Sequence, residues 1–581
     1  MKSLLAILVA ASLYGQAPAE DRRNTYTPNT DSHFAMPEYK TLEQWEARKK
    51  QLRLQVLAAA GLLPMPDKTP LNPQVFGKIT QSDYTIEKVL IETLPGYWLG
   101  GNLYRPVTNR RGLPAVATPH GHWVYGRLEH THEGSIPARC INLARQGYVV
   151  FAWDMVGWND TVQTPHPFGA TPEEQLWSFG PLQLQLWNSI RAIDFLQSLP
   201  EVDPKRIAMT GASGGGTQTF LAYAVDDRIQ WAAPVNMISG IMQGGSPCEN
   251  APSLRVDANN IEIGAMMAPR PLLMVSATGD WTRNTPKEEF PALRHIYELY
   301  GKPENVETIQ IDAEHNYNQQ SREAVYRFFG KHVLGNTDAA AFSERAIRLE
   351  RLQDMLALHG RTLPPGALDF DGVFKLWKSI AQRKFEQTTD LNVLRERLRV
   401  VLAVEWPQEV AHQSEGDRRI LTRPGKGDRV AAVRIAGSGR PVLLVHPDGA
   451  AAALKSPDAA SVTGRPGFAI DAFQTGAAVA PRDRSHKFFL TFNRSDDANR
   501  VQDILTALKF MNSPDTELVC SGKAAVWCAA AAAVAPMPLK LKTPPASFAG
   551  SDADFTRDLF VPGIQRIGGG AALRRLLAGS R

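Results

Sequence analysis

Residues 206–225 read RIAMTGASGGGTQTFLAYAV. The apolar run Ile207–Met209 leads into Gly211-Ala212-Ser213-Gly214-Gly215, and Thr217–Val225 continues with helical spacing. A serine framed as G-x-S-x-G between a strand and a helix occupies a sharp, strained turn that exposes its hydroxyl. Glycine on either side lets strand and helix approach closely. The pentapeptide alone would be an ordinary glycine-rich turn; the strand before it and the helix after it make it a candidate nucleophile site.

Working outward, the same alternation fills residues 82–335. TIEKVLIETL and GYWLGGNLYRP read as an antiparallel pair joined at Pro95-Gly96. PAVATPHGH, YVVFAWD, RIAMTGAS, WAAPVNM, PLLMVSAT and VETIQID follow as short apolar strands. Helical patterns separate them, including LWNSIRAIDFLQSL, EEFPALRHIYELYG and REAVYRFFGKHV. Such alternation predicts an α/β fold: a mostly parallel sheet with helices on both faces. An amphipathic helix is expected over residues 40–63. Residues 338–412 read as strongly helical, with SERAIRLERLQDMLALHG and NVLRERLRVVLAV as the clearest periods. Strands return near residue 420. NRVQDILTALKFMNSPDTELVCSGKAA echoes SIRAIDFLQSLPEVDPKRIAMTGASGG, and PVLLVHPDGA echoes PAVATPHGHW. The echo predicts a partial, degenerate second α/β unit; two unrelated units sharing generic patterns is the plainer alternative. The expected organisation is a signal peptide over 1–19, a catalytic domain with a helical leader over 20–337, a helical region over 338–415 and a non-catalytic α/β domain over 416–581.

The chain has 581 residues, 43% hydrophobic and 21% charged, with a formal net charge of +5. That is globular usage and excludes a disordered or fibrous chain. So small a surplus of charge, without a basic run, gives no case for nucleic acid as a partner. Lys2, the apolar Leu4–Leu13 and Ala17-Pro18-Ala19 form a secretory signal pattern with cleavage near Ala19; a cut after Gly15 also fits. The apolar stretch is too short to span a bilayer, so the mature protein is expected to be secreted or periplasmic, with no membrane span. Cys140, Cys248, Cys520 and Cys528 show no C-x-x-C spacing. Mostly buried free thiols are expected, and export permits a Cys140–Cys248 bridge.

A serine hydroxyl needs a base and a group to orient that base. Asp280 follows the strand PLLMVSAT and His315 follows VETIQID. Both stand just beyond strand C-termini, where ligands gather in parallel sheets, and their order after Ser213 suits a Ser-Asp-His triad. Glu249, after WAAPVNM, is the alternative acid; otherwise it is a pocket residue or an ion-pair partner. The developing oxyanion requires donors, here assigned to the backbone amides of Gly214 and His122. The His120 side chain is expected to brace that loop. Trp123, Trp281, Tyr125, Trp158 and Asp154 are candidate pocket residues, each as readily core.

His120, His122, His130, His132 and His166 include two H-x-H pairs, which raises a metal reading. No H-x-H-x-D-H or H-E-x-x-H follows, so no metal and no cofactor is expected. Val519-Cys520-Ser521-Gly522-Lys523-Ala524 stands at the elbow-like place of the second unit but lacks the G-x-S-x-G frame. A Cys520 nucleophile is conceivable, yet no histidine follows it.

HGHW at 120–123, GASGGGTQT at 211–219, APRPLLMVSATGDWT at 268–282 and AEHNYN at 313–318 together resemble the α/β-hydrolase fold. Within it, residues 80–335 are similar to secreted bacterial acetyl xylan esterase-like or dienelactone-hydrolase-like serine hydrolases. The resemblance implies Ser213 as nucleophile, His315 as general base and acid, Asp280 as orienting carboxylate, and a carbohydrate ester as substrate. Glucuronoyl esterases share the fold, but their elbow carries arginine directly after the serine, where this chain has Gly214. A prolyl-oligopeptidase-like peptidase would share the triad order, although the propeller usual in that group has no room here. A non-catalytic carbohydrate-binding scaffold is the alternative from another class.

Overall fold

The computed structural model describes residues 20–542 and 548–579; the expected signal peptide, residues 1–19, lies outside the described residues. Nine strands build the first sheet: β1 (Gln74–Thr80), β2 (Tyr84–Leu94), β3 (Tyr97–Pro106), β4 (Leu113–Ala117), β5 (Val149–Trp153), β6 (Val202–Ala212), β7 (Ile229–Val235), β8 (Leu272–Ala277) and β9 (Val306–Ile311). Their order is β1-β2-β3-β5-β4-β6-β7-β8-β9. The first three strands pair antiparallel and β3 runs antiparallel to β5, while every neighbour from β5 to β9 is parallel.

The continuous apolar strands reflect burial on both faces. Side chains alternate across a strand, so on β5 Val149, Phe151 and Trp153 enter one core while Val150 and Ala152 enter the other. Helices Leu42–Ala59, Pro181–Ser198 and Gly214–Val225 cover the first face. Helices Ile136–Arg145 and Gln319–Phe329 cover the second. Strand β1 and the helix Ile136–Arg145 had no clear signal in the sequence. No described helix is long and apolar enough to cross a membrane.

Seven strands form the second sheet: β10 (Ala411–Glu415), β11 (Arg418–Thr422), β12 (Val430–Ile435), β13 (Val442–Val445), β14 (Gly467–Asp471), β15 (Glu517–Cys520) and β16 (Lys540–Leu541). Their order, β10-β11-β12-β14-β13-β15-β16, repeats that of β1 to β7. The directions match as well: antiparallel as far as the β12–β14 pair, parallel beyond it. Strands β8 and β9, the ones that precede Asp280 and His315, have no counterpart among the described residues of this sheet.

Two expectations are corrected. Residues 343–351 are not helical, and only Leu352–Met355 forms a turn of helix before Phe370–Glu386 and Leu391–Leu402. Tertiary hydrogen bonds take up the backbone of that stretch: the Glu344 amide donates to Glu323 Oε1 at 3.0 Å and the Arg345 amide to Asn142 Oδ1 at 3.1 Å. Farther on, the amides of Ala357 and Leu358 each donate to the Asp160 carboxylate at 2.8 Å, while Asn102 Nδ2 donates to the Met355 carbonyl at 2.9 Å. The cysteines also differ. Cys520 and Cys528 form a disulfide, whereas Cys140 and Cys248 are free and buried. Cys520 ends β15 and Cys528 lies in the next helix, Ala524–Val534, so the tight strand–turn–helix brings them together. This bond also removes Cys520 as a nucleophile.

Candidate active site

Ser213 separates β6 from the helix Gly214–Val225 with φ +58° and ψ −126°. Such a conformation costs a non-glycine residue about 1–3 kcal/mol and persists only where its surroundings enforce it. Here the Ser213 amide donates to the Val235 carbonyl at the end of β7, 3.1 Å away. A Cβ on Gly214 would lie 2.8 Å from Cε1 of His122, and one on Gly121 would lie 2.7 Å from the Ala212 carbonyl oxygen. The turn therefore has glycine where the loop after β4 presses against it.

Adjacent strand ends supply the other groups. His315 Nδ1 lies 2.8 Å from Asp280 Oδ2, and the Asp280 side chain is 2% exposed. Asp280 Oδ1 accepts from the Thr282 amide at 2.7 Å and the Thr282 hydroxyl at 2.5 Å. Both carboxylate oxygens are engaged, which fixes the direction of the His315 ring. Trp281 packs on that ring with centroids 4.3 Å apart and is itself held by Nε1 donating to the Asn236 carbonyl at 3.0 Å. Asn236 Nδ2 donates to the Asn316 carbonyl at 3.0 Å. The ends of β6, β7, β8 and β9 are thus laced together. His315 Nε2 is buried and has no hydrogen-bond partner among the described residues; Ser213 and His315 are not hydrogen-bonded to each other. Catalytic hydrogen bonds often tighten only when substrate binds.

Glu249 is directed elsewhere. Its carboxylate accepts from the Gly245 amide at 2.9 Å, the Ser246 amide at 3.1 Å and the Thr217 hydroxyl at 3.2 Å, closing its own loop. His120 is fully buried, accepting the Met155 amide on Nε2 at 2.9 Å and pairing Nδ1 with the Gly121 carbonyl at 2.7 Å. Burial pushes its pKa down to about 3, so it stays neutral and ties the loop after β4 to the end of β5. The amide of His122 has no backbone partner among the described residues. That of Gly214, first in its helix, has no intrahelical acceptor.

Asp154 lies inside the molecule, ion-paired with the buried Arg127, which also binds Asp160. Burial raises the Asp154 pKa to about 6. Trp123 and Trp158 are joined by the Trp158 indole N–H on the Trp123 carbonyl at 3.1 Å, while Tyr125 is 54% exposed. The H-x-H pairs do not converge: His130 pairs with Ser135 at 2.7 Å and His132 is exposed. Ser246, which carried no signal in the sequence, and Cys248, read there only as a thiol, lie 2.9 and 3.0 Å from His122 Nε2. A separate concavity of about 490 Å³ lies between the helices Leu42–Ala59 and Leu391–Leu402, away from these groups.

The solved structure of Methylesterase BT1017 is 30% identical to this chain, covers 60% of it and 78% of its own length, and superposes with a TM-score of 0.51. The chain belongs to the α/β-hydrolase esterases. This esterase is also matched over residues 184–237 by the family described as Acetyl xylan esterase (AXE1). That segment includes Ser213 but neither Asp280 nor His315. YtaP of Bacillus subtilis (strain 168) is 26% identical over a 269-residue alignment that covers 42% of this chain and 83% of that one. The reaction class is carboxylic ester hydrolysis, and the nine-stranded sheet is its scaffold.

Proposed function

We propose that this esterase works through Ser213, His315 and Asp280 on an esterified carbohydrate, with acetyl as the leading acyl group. The observation that carries the mechanism is the 2.8 Å contact between His315 Nδ1 and Asp280. It leaves Nε2 as the free base on a ring whose strand end is laced to that of Ser213. Ser213 Oγ attacks the ester carbonyl as Nε2 takes its proton, and Asp280 stabilises the imidazolium. The amides of Gly214 and His122 receive the oxyanion. The alcohol leaves with the proton from His315, and water then attacks the acyl-enzyme with His315 again as base. The signal pattern of residues 1–19 supports action outside the cytoplasm on plant polysaccharide or its fragments. The acetyl assignment draws on the matched acetyl xylan esterase family. The likeness to a methylesterase favours a second reading, a sugar-acid methyl ester.

The test measures acetate from acetylated xylan, methanol from methyl-esterified polyuronide and turnover of 4-nitrophenyl acetate, for the parent and Ser213→Ala. Serine-dependent acetate release supports the first reading; serine-dependent methanol release alone supports the second. Equal activity of parent and variant on all three substrates would overturn the mechanism.

A further inference from the structure

Three loops that are distant in sequence bring together two imidazoles and a thiol beside the nucleophile turn. His122 follows β4, His166 follows β5 and Cys248 follows β7. One ligand atom from each lies within 4.8 Å of the others. His166 is already oriented, with Nδ1 on the Val156 carbonyl at 2.8 Å. That bond leaves Nε2 as the lone-pair nitrogen, and it is buried with no hydrogen-bond partner among the described residues. A second hydrogen bond that fixes tautomer and ring direction is what metal-ligating histidines usually have. Cys248 Sγ is buried against His122 Nε2 at 3.0 Å, and Ser246 Oγ lies 2.9 Å from the same nitrogen.

We infer that His122, His166 and Cys248 form a binding site for a thiophilic divalent cation, Zn2+ in the first instance. Ligand atoms around a tetrahedral zinc stand roughly 3.3–3.7 Å apart, so side-chain shifts of about 1 Å bring all three onto one ion. The thiol proton passes to solvent as the sulfur–zinc bond forms, with no change of oxidation state. The fourth position falls to Ser246 Oγ or water. Histidine and thiolate together select zinc over calcium or magnesium, which take oxygen ligands. Cε1 and Nδ1 of the His122 ring lie against Gly214, so a bound ion holds that ring beside the oxyanion loop. The site stands on this geometry whether or not Ser213 is the nucleophile.

The full chain, stripped with a chelator, is titrated with Zn2+ against a chromophoric competitor and with Co2+ by absorption. One equivalent of Zn2+ per chain is expected, together with a near-ultraviolet thiolate-to-cobalt band. Cys248→Ser should remove that band. Cys248→Ser and His166→Gln should each weaken binding by more than the roughly 10–100-fold that outer contacts to a ligand contribute. His132→Gln, outside the cluster, should change nothing. Zn2+ should also protect Cys248 of the parent from alkylation, read by mass spectrometry, which holds even if a variant fails to fold. Absence of stoichiometric binding by the parent would overturn the site, as would binding that leaves Cys248 unprotected.

Discussion

At the scale of single residues, the two carboxylates read as candidate acids have separate environments. Asp280 serves His315, while Glu249 closes its own loop. Asp280→Asn is therefore expected to lower kcat by about 10³–10⁴-fold, the size seen when an orienting carboxylate is lost. Glu249→Gln should change kcat by less than about tenfold; steady-state kinetics on 4-nitrophenyl acetate decides. His120 gives a pH prediction. Its folded pKa of about 3 lies below the ordinary value near 6.5. The unfolded chain thus binds the extra proton between those limits, and stability falls as pH drops from about 6.5 toward 3. His120→Gln should flatten that part of the profile by close to one proton, measured by denaturant unfolding across pH. Ser213, Asp280 and His315 were legible because each follows a recognisable strand. The meeting of His122, His166 and Cys248 was not, since 44 and 82 residues separate the three and no local pattern signals loops that meet only across a sheet.

At the scale of elements, β6 with its helix shows how local signals succeed. Its apolar run, positive-φ serine and glycine frame are all short-range features. Gly121→Ala is expected to destabilise by about 1–3 kcal/mol, the usual size for overpacking, because its Cβ would meet backbone at 2.7 Å. Gly214→Ala, meeting the side chains of His122 and Met155 rather than backbone, should cost less; thermal unfolding of both variants compares them. The stretch 343–351 shows the opposite case. Its helical periodicity yields to irregular backbone because the amides of Glu344 and Arg345 are taken by Glu323 and Asn142, partners that sequence spacing does not reveal. In the second sheet, the Cys520–Cys528 disulfide closes a loop of sequence separation 8. Loop entropy predicts that Cys520→Ala with Cys528→Ala lowers stability by about 2–3 kcal/mol, with kcat unchanged.

At the scale of the whole molecule, two sheets that share the order of seven strands are bound by backbone and charge. The amides of Ser253 and Arg255, in the loop after β7, donate to the Leu490 and Thr491 carbonyls at 2.7 and 2.8 Å. The N-terminal leader straps the two together: Arg23 binds the buried Asp503 of the second unit at 2.6 Å, and the Gln243 amide donates to the Thr30 carbonyl at 3.0 Å. Arg23→Ala leaves Asp503 buried without its cation and is expected to cost about 3–5 kcal/mol, read as a lower Tm. Between β15 and the helix Ala524–Val534, the place in the second unit that corresponds to the serine turn, the positive-φ residue is Gly522, with no side chain to act. Sequence alone determined the alternating strands and helices, the serine turn and the order of the candidate triad, because these arise from periodicity and backbone preference within a few residues. Only the tertiary structure decided which acid faces His315, which cysteines pair and how completely the second sheet copies the first. Those outcomes depend on which strand ends become neighbours, and long-range packing sets that.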